Sequence, residues 1–228
     1  TVFITVENKF IRGDIKGYKV DEDGIAVAGA MFGLFTEDST EFTEDNAVLT
    51  AVSDADGIFT FKNVRFGKWI VRELTPAEGF VLNETEFPVD VTADGAVIEI
   101  KAENRYIYGA VHTTKVDKDY PDHLLTGAVF EAYRDVNGNQ QFDPDVDALV
   151  GTLLEYEPGL YELAGLRYGG YFLYEKQAPE NYVKDDGYHY FEIVNDGGMV
   201  EVENQAGIGF INCHMVGNLK IVKTSSDG

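Results

Sequence analysis

The chain has 228 residues, room for about two domains of ordinary size, and its 44% hydrophobic content lets each bury a core. A formal charge of −22 repels phosphate backbones and anionic lipid, so neither nucleic acid nor a membrane surface is expected as a partner. No apolar run approaches the ~20 residues that span a bilayer. The single cysteine, Cys213, excludes an intrachain disulfide, and any export or anchoring signal is expected outside this sequence.

Frequent Gly, Tyr and Phe predict turns and short strands, an all-β chain. Along the chain, Val2, Ile4 and Val6 alternate as in a half-buried strand, and Asn8 continues their phase. Ile15 and Gly17 lead in phase to Lys19. After a turn at Asp56-Gly57, Trp69 and Val71 lead to Glu73. After another at Asp94-Gly95, Ile98, Ile100 and Ala102 lead to Asn104. The cycle then recurs. Val111 and Thr113 precede Lys115. Tyr171 and Leu173 precede Glu175, behind a Gly169-Gly170 pair. Beyond the Gly197-Gly198 turn, Ile208 and Phe210 precede Asn212, and last come Leu219, Ile221 and Lys223.

This is an internal repeat. Gly57 to Glu73 (GIFTFKNVRFGKWIVRE) aligns without a gap to Gly159 to Glu175 (GLYELAGLRYGGYFLYE), and Ala28 to Phe35 matches Thr126 to Tyr133. The expected organisation is the last strand of a preceding repeat over 1–10, whole units over 11–106 and 107–215, and the first strand of a following repeat over 216–228. Seven or so strands per ~100 residues fit a two-sheet immunoglobulin-like sandwich. Connections without Pro- or Ser-rich linkers suggest a stiff tandem array whose neighbours are further repeats.

Each unit thus turns a Lys, a Glu and an Asn toward its core: Lys19, Glu73 and Asn104, then Lys115, Glu175 and Asn212. Burial shifts such groups toward neutrality. A neutral amine is a nucleophile, and a protonated carboxyl can polarise the carboxamide oxygen and shuttle protons. Amine attack on the carboxamide would give a Lys–Asn isopeptide cross-link and release ammonia. The competing reading, that Lys and Asn sit at strand ends in solvent, explains one residue better than a triad recurring in phase.

Each unit also resembles a Cna B-type (SpaA-like) domain of Gram-positive surface adhesins and pilins. The resemblance rests on Lys19-Val20-Asp21-Glu22-Asp23-Gly24, Gly29-Ala30-Met31-Phe32 and Arg72-Glu73-Leu74-Thr75-Pro76-Ala77-Glu78-Gly79-Phe80. In the second unit it rests on Lys115-Val116-Asp117, Gly127-Ala128-Val129-Phe130 and Glu175-Lys176-Gln177-Ala178-Pro179-Glu180-Asn181-Tyr182. It covers nearly the whole chain. It implies prealbumin-like sandwiches, the same two isopeptide triads, no enzymatic activity beyond self-directed bond formation, no cofactor for that step, and a cell-wall-anchored extracellular stalk. The first bond would close 104 − 19 = 85 residues. Two alternatives remain at this stage. One is a module holding a host matrix protein or glycan through Tyr106, Tyr108, Tyr188 and Tyr190; the other is an accessory domain of a secreted carbohydrate-active enzyme.

The second unit is longer by twelve residues, which the repeat alignment assigns to Arg134–Gly151. There Asp135, Asn137, Asn139, Gln141 and Asp143 put oxygens at alternate positions, with Asp145 or Asp147 to complete a Ca²⁺ loop. An acidic solvated hairpin is the competing reading. His112, His123, His189 and His214 show no metal-ligand spacing, and Cys213 is expected to be half-buried, facing away from Asn212.

Overall fold

The computed structural model describes residues 3, 4, 6–217 and 219–222. Val2 and Lys223 lie outside the described residues, as does most of the expected following strand. The chain divides into two compact units, Thr1–Ile107 and Tyr108–Gly228. Every regular element among the described residues is a β-strand. Neither terminal segment pairs in a sheet among those residues, and Phe3, Ile4, Val6, Phe10, Leu219 and Ile221 are exposed.

The first unit contains β1 (Arg12–Asp21), β2 (Met31–Thr36), β3 (Leu49–Val52), β4 (Ile58–Arg65), β5 (Gly67–Thr75), β6 (Phe87–Val91) and β7 (Val97–Asn104). They form two sheets, β4-β1-β7 and β3-β2-β5-β6. The first and last strands are parallel neighbours, with Lys19 opposite Ala102 and Asp21 opposite Asn104. In β1 every second residue is buried: Gly13, Ile15, Gly17, Lys19 and Asp21. Gly17 holds a core position because the Phe59 ring fills the space of a side chain, its Cζ 2.0 Å from where a Cβ would stand. Phe59 in turn stacks on Phe32 at 3.8 Å between ring centres.

The second unit contains β8 (Tyr108–Asp117), β9 (Val129–Arg134), β10 (Ala148–Thr152), β11 (Leu154–Glu157), β12 (Leu160–Arg167), β13 (Gly169–Gln177), β14 (Tyr182–Val183), β15 (Tyr188–Ile193), β16 (Met199–Glu201) and β17 (Phe210–His214). One sheet is β10-β9-β13-β15. The other is β11-β12-β8-β17-β14, with β16 also on β8. The counterpart of β7 is split. β16 runs parallel to the start of β8, from Met199 opposite Ala110, and β17 to its end, from Phe210 opposite Lys115.

That split corrects the sequence reading of the insertion. The β9–β10 loop spans 135–147 and its equivalent, β2–β3, spans 37–48, a difference of one residue. Half of the twelve extra residues lie instead between Met199 and Asn212, where 202–209 leave the sheet: 12 residues stand between these two, against 6 between Val97 and Asn104.

Candidate functional site

The Lys, Glu and Asn of each unit stand on three strands of its sandwich. Lys19 and Asn104 sit on adjacent parallel strands of one sheet, the Asn two residues past the residue opposite the Lys. Lys115 and Asn212 repeat this offset, since Lys115 faces Phe210. The Glu comes from the facing sheet. Glu73 pairs with Phe32 and Glu175 with Phe130, each beside a register shift that places an extra residue, Leu74 or Lys176, in the strand after it. Such a bulge re-aims the neighbouring side chain. All six are almost fully enclosed, none more than 2% exposed.

In the first unit the Asn104 Nδ2 donates to Glu73 Oε1 and Oε2 at 3.0 and 2.9 Å. Lys19 Nζ donates to the Val20 carbonyl at 2.8 Å and lies 5.7 Å from the Phe80 ring centre. In the second unit the Asn212 Nδ2 donates to Glu175 at 3.2 and 2.9 Å and to the Val183 carbonyl at 2.8 Å. Lys115 Nζ is 3.2 Å from Glu175 Oε1 and donates to the Phe210 carbonyl at 3.1 Å. The carboxylate therefore faces the amide nitrogen in both units, not the oxygen it was expected to polarise. Asn104 Oδ1 and Asn212 Oδ1 are buried without a hydrogen-bond partner.

Burial sets the protonation. It lowers the Lys19 pKa against the pull of Glu73, and raises that of Glu73. It brings Lys115 down to about 8 although Glu175 pulls the other way. A carboxylate touching both the ammonium and the amide nitrogen, as Glu175 does, can take a proton from one and deliver it to the other.

Sequence reasoning missed a second constellation beside each triad. Asp21 and Asp117, two residues past each Lys, are buried. Asp21 accepts from the Tyr106 hydroxyl, and Tyr106 stacks on Phe80. Asp117 accepts from the Tyr182 hydroxyl at 2.8 Å and meets His214 Nε2 at 2.9 Å, while the Tyr182 and His214 rings lie 4.4 Å apart. Tyr106 and His214 stand two residues past Asn104 and Asn212, and Phe80 and Tyr182 seven past Glu73 and Glu175. The recurring offsets carried the signal. Tyr106 is thus committed to its own unit, and neither it nor Tyr108 or Tyr190 is an exposed platform; Tyr188 is 37% exposed. Cys213 is exposed rather than half-buried.

In the 135–147 loop, Asp135 accepts from the backbone amides of Gly138 and Gln140, Asn137 from Asn139, Asn139 from Gln141, Asp143 from Asp145, and Asp147 from Val136 and Asp143. Among the described residues no three His, Cys, Asp or Glu side chains are grouped to hold a metal ion.

A family model described as SpaA, a prealbumin-like fold domain, matches residues 13–106 and again 109–206. The chain belongs to the SpaA prealbumin-like fold domain family. The first match takes in Lys19, Glu73 and Asn104, and the second takes in Lys115 and Glu175, with Asn212 following the matched segment. Among solved structures, the Bacillus anthracis TIE protein is similar at 25% identity and a TM-score of 0.68, over 84% of this chain and 33% of that one. The chain thus spans about a third of its length. A streptococcal ancillary pilin is similar at 23% identity and a TM-score of 0.40, over 92% of this chain and 64% of that one. GBS52, the minor pilin of Streptococcus agalactiae, is similar at 19% identity and a TM-score of 0.39, over 92% of this chain and 99% of that one. No curated protein matches the chain. No helix among the described residues is long and apolar enough to cross a membrane.

Proposed function

We propose that the two SpaA units are force-carrying repeats of a cell-wall-anchored, Gram-positive surface stalk of the pilin or adhesin kind, each closed by an autocatalytic Lys–Asn isopeptide bond. The observation that carries this reading is the enclosed Lys–Glu–Asn arrangement, present twice with one strand register. An uncompensated buried charge is costly, and here amine, acid and amide are the groups of one balanced reaction. The ammonium passes a proton to the Glu carboxylate. The Lys Nζ forms a bond to the Asn Cγ. The Glu proton goes to Nδ2, the Cγ–Nδ2 bond breaks and ammonia leaves, while the attacking nitrogen gives its second proton to the carboxylate just vacated, from which it passes to the ammonia as ammonium or to water. No oxidant or cofactor enters.

The bond suits tension, which enters a tandem domain at its first and last strands. A bridge from Lys19 to Asn104 passes force directly between β1 and β7 and leaves the 84 residues between them unloaded. In single-molecule pulling from both ends of the chain, the unmodified protein is expected to gain little length, whereas Glu73→Ala should add about 300 Å, at ~3.5 Å per released residue. Equal extension of both proteins rules the stalk mechanism out.

A lesser part of the proposal is Ca²⁺ in the 135–147 loop. Its alternating oxygens belong to the donor class a hard cation takes, but the cation would displace backbone amides that they now accept. Calorimetric titration with Ca²⁺ is expected to show one site lost in Asp135→Ala; no heat of binding removes this part.

A further inference from the structure

In both units the residue ten positions past the Glu touches its carboxylate. Asn83 donates its backbone N–H to Glu73 Oε2 at 2.7 Å, and Asp185 donates its own to Glu175 Oε2 at 2.8 Å. In each case the side chain at that position also reaches toward the residue preceding the reactive Asn. Asn83 Nδ2 donates to the Glu103 carbonyl at 2.8 Å. Asp185 has no amide to donate, and the gap is filled by Asn204, from the 202–209 excursion that splits the last strand. Asn204 Nδ2 donates to Asp185 Oδ2 at 2.7 Å and to the Ile211 carbonyl at 3.0 Å, while its Oδ1 accepts from the Ile211 amide at 2.7 Å.

We infer that Asn83 in the first unit, and Asp185 with Asn204 in the second, are positioning residues for isopeptide formation, and that the strand-splitting excursion serves to supply Asn204. The inference rests on the bond-forming reading above. One tether fixes the acid relative to the amide it must serve: the backbone N–H holds Oε2, and the side chain holds the peptide next to the reactive Asn. The two groups come from facing sheets, so without the tether their spacing would follow the breathing of the sandwich. Displacement of a reacting group by about 1 Å can cost a hundredfold in rate. The two units solve the same problem with different residues. The amide donor is built into the loop after the Glu strand in one, and borrowed from the excursion that interrupts the last strand in the other.

The test uses the two-unit chain made by cell-free synthesis, sampled over time, quenched in acid and weighed, with cross-linked peptides assigning each ammonia loss to its unit. Asn83→Ala is expected to slow the first bond by about tenfold to a hundredfold and leave the second untouched. Asn204→Ala should do the reverse. Adding Asp185→Asn to Asn204→Ala should restore most of the rate, because the new amide stands where Asn83 stands in the first unit. Should Asn83→Ala fold poorly by circular dichroism, Asn83→Asp keeps the Oδ1 acceptor used by the Thr85 amide at 2.9 Å and puts a carboxylate oxygen in place of the donor. Losses at the unmodified rate in the single variants overturn the positioning role, as does slowing that Asp185→Asn fails to rescue. An unmodified chain that loses no ammonia overturns the bond-forming reading itself, and this inference with it.

Discussion

A lysine in water holds its proton and is no nucleophile; enclosing it in a sandwich changes that. Lys115 is fully buried, and burial brings its pKa down to about 8 from an ordinary value of 10.5. The sign of the stability effect follows. Between about 8 and 10.5 the unfolded chain keeps a proton that the folded one has released, so folding stability rises with pH across that window and is level below it, where both states hold the proton. In Asn212→Ala, which cannot form the second bond, denaturant unfolding should show the second unit gaining stability from pH 8 to 10. The further change Lys115→Met should abolish that gain, and a slope unchanged by it would contradict the burial argument. The triad itself was legible because strands have period two: a polar residue in phase with Ile98, Ile100 and Ala102 must face inward. Asp21 and Asp117 obey the same period yet escaped notice, since aspartate at a strand end in a chain of charge −22 reads as solvated. Only the fold shows their hydroxyl partners, Tyr106 and Tyr182.

Elements hold these residues through backbone contacts that the sequence marks with glycine. Gly57 and Gly159 follow the tight turns before β4 and β12 in left-handed conformations, φ of 72° and 77°. Their carbonyls accept from the backbone amides of Lys19 and Lys115 at 2.7 and 2.8 Å. A Cβ on Gly57 would stand 2.3 Å from the Lys19 carbonyl oxygen. Gly57→Ala therefore combines a strained backbone with a collision against the strand that carries Lys19. It is expected to destabilise the first unit by about 1–3 kcal/mol, read as a lowered midpoint for that unit in differential scanning calorimetry, with the second unit unmoved. An unchanged midpoint would show that the turn can shift freely. The Asp56-Gly57 turn was legible for this reason. The split of the last strand was not: residues 202–209 carry no periodicity of their own, and an alignment of repeats sees only total length. It therefore assigned the extra residues to the acidic loop, whose partner in the first unit is nearly as long.

At the scale of the whole molecule, two sandwiches of unequal length close their first strand on their last in one register, with Lys19 and Lys115 each two positions short of alignment with Asn104 and Asn212. A covalent closure of loops this long is worth roughly 4–5 kcal/mol in unfolded-chain entropy, by analogy with disulfides, a contribution that the lone Cys213 leaves no disulfide to make. On the proposed reading the register makes an enzyme unnecessary: folding brings amine, acid and amide together, and burial favours the neutral forms of Lys19, Lys115 and Glu73. Intact mass tests this most directly. The purified two-unit chain is predicted to weigh two ammonias less than its sequence, with Glu73→Ala and Glu175→Ala each restoring one. A mass equal to that of the encoded sequence would contradict the account.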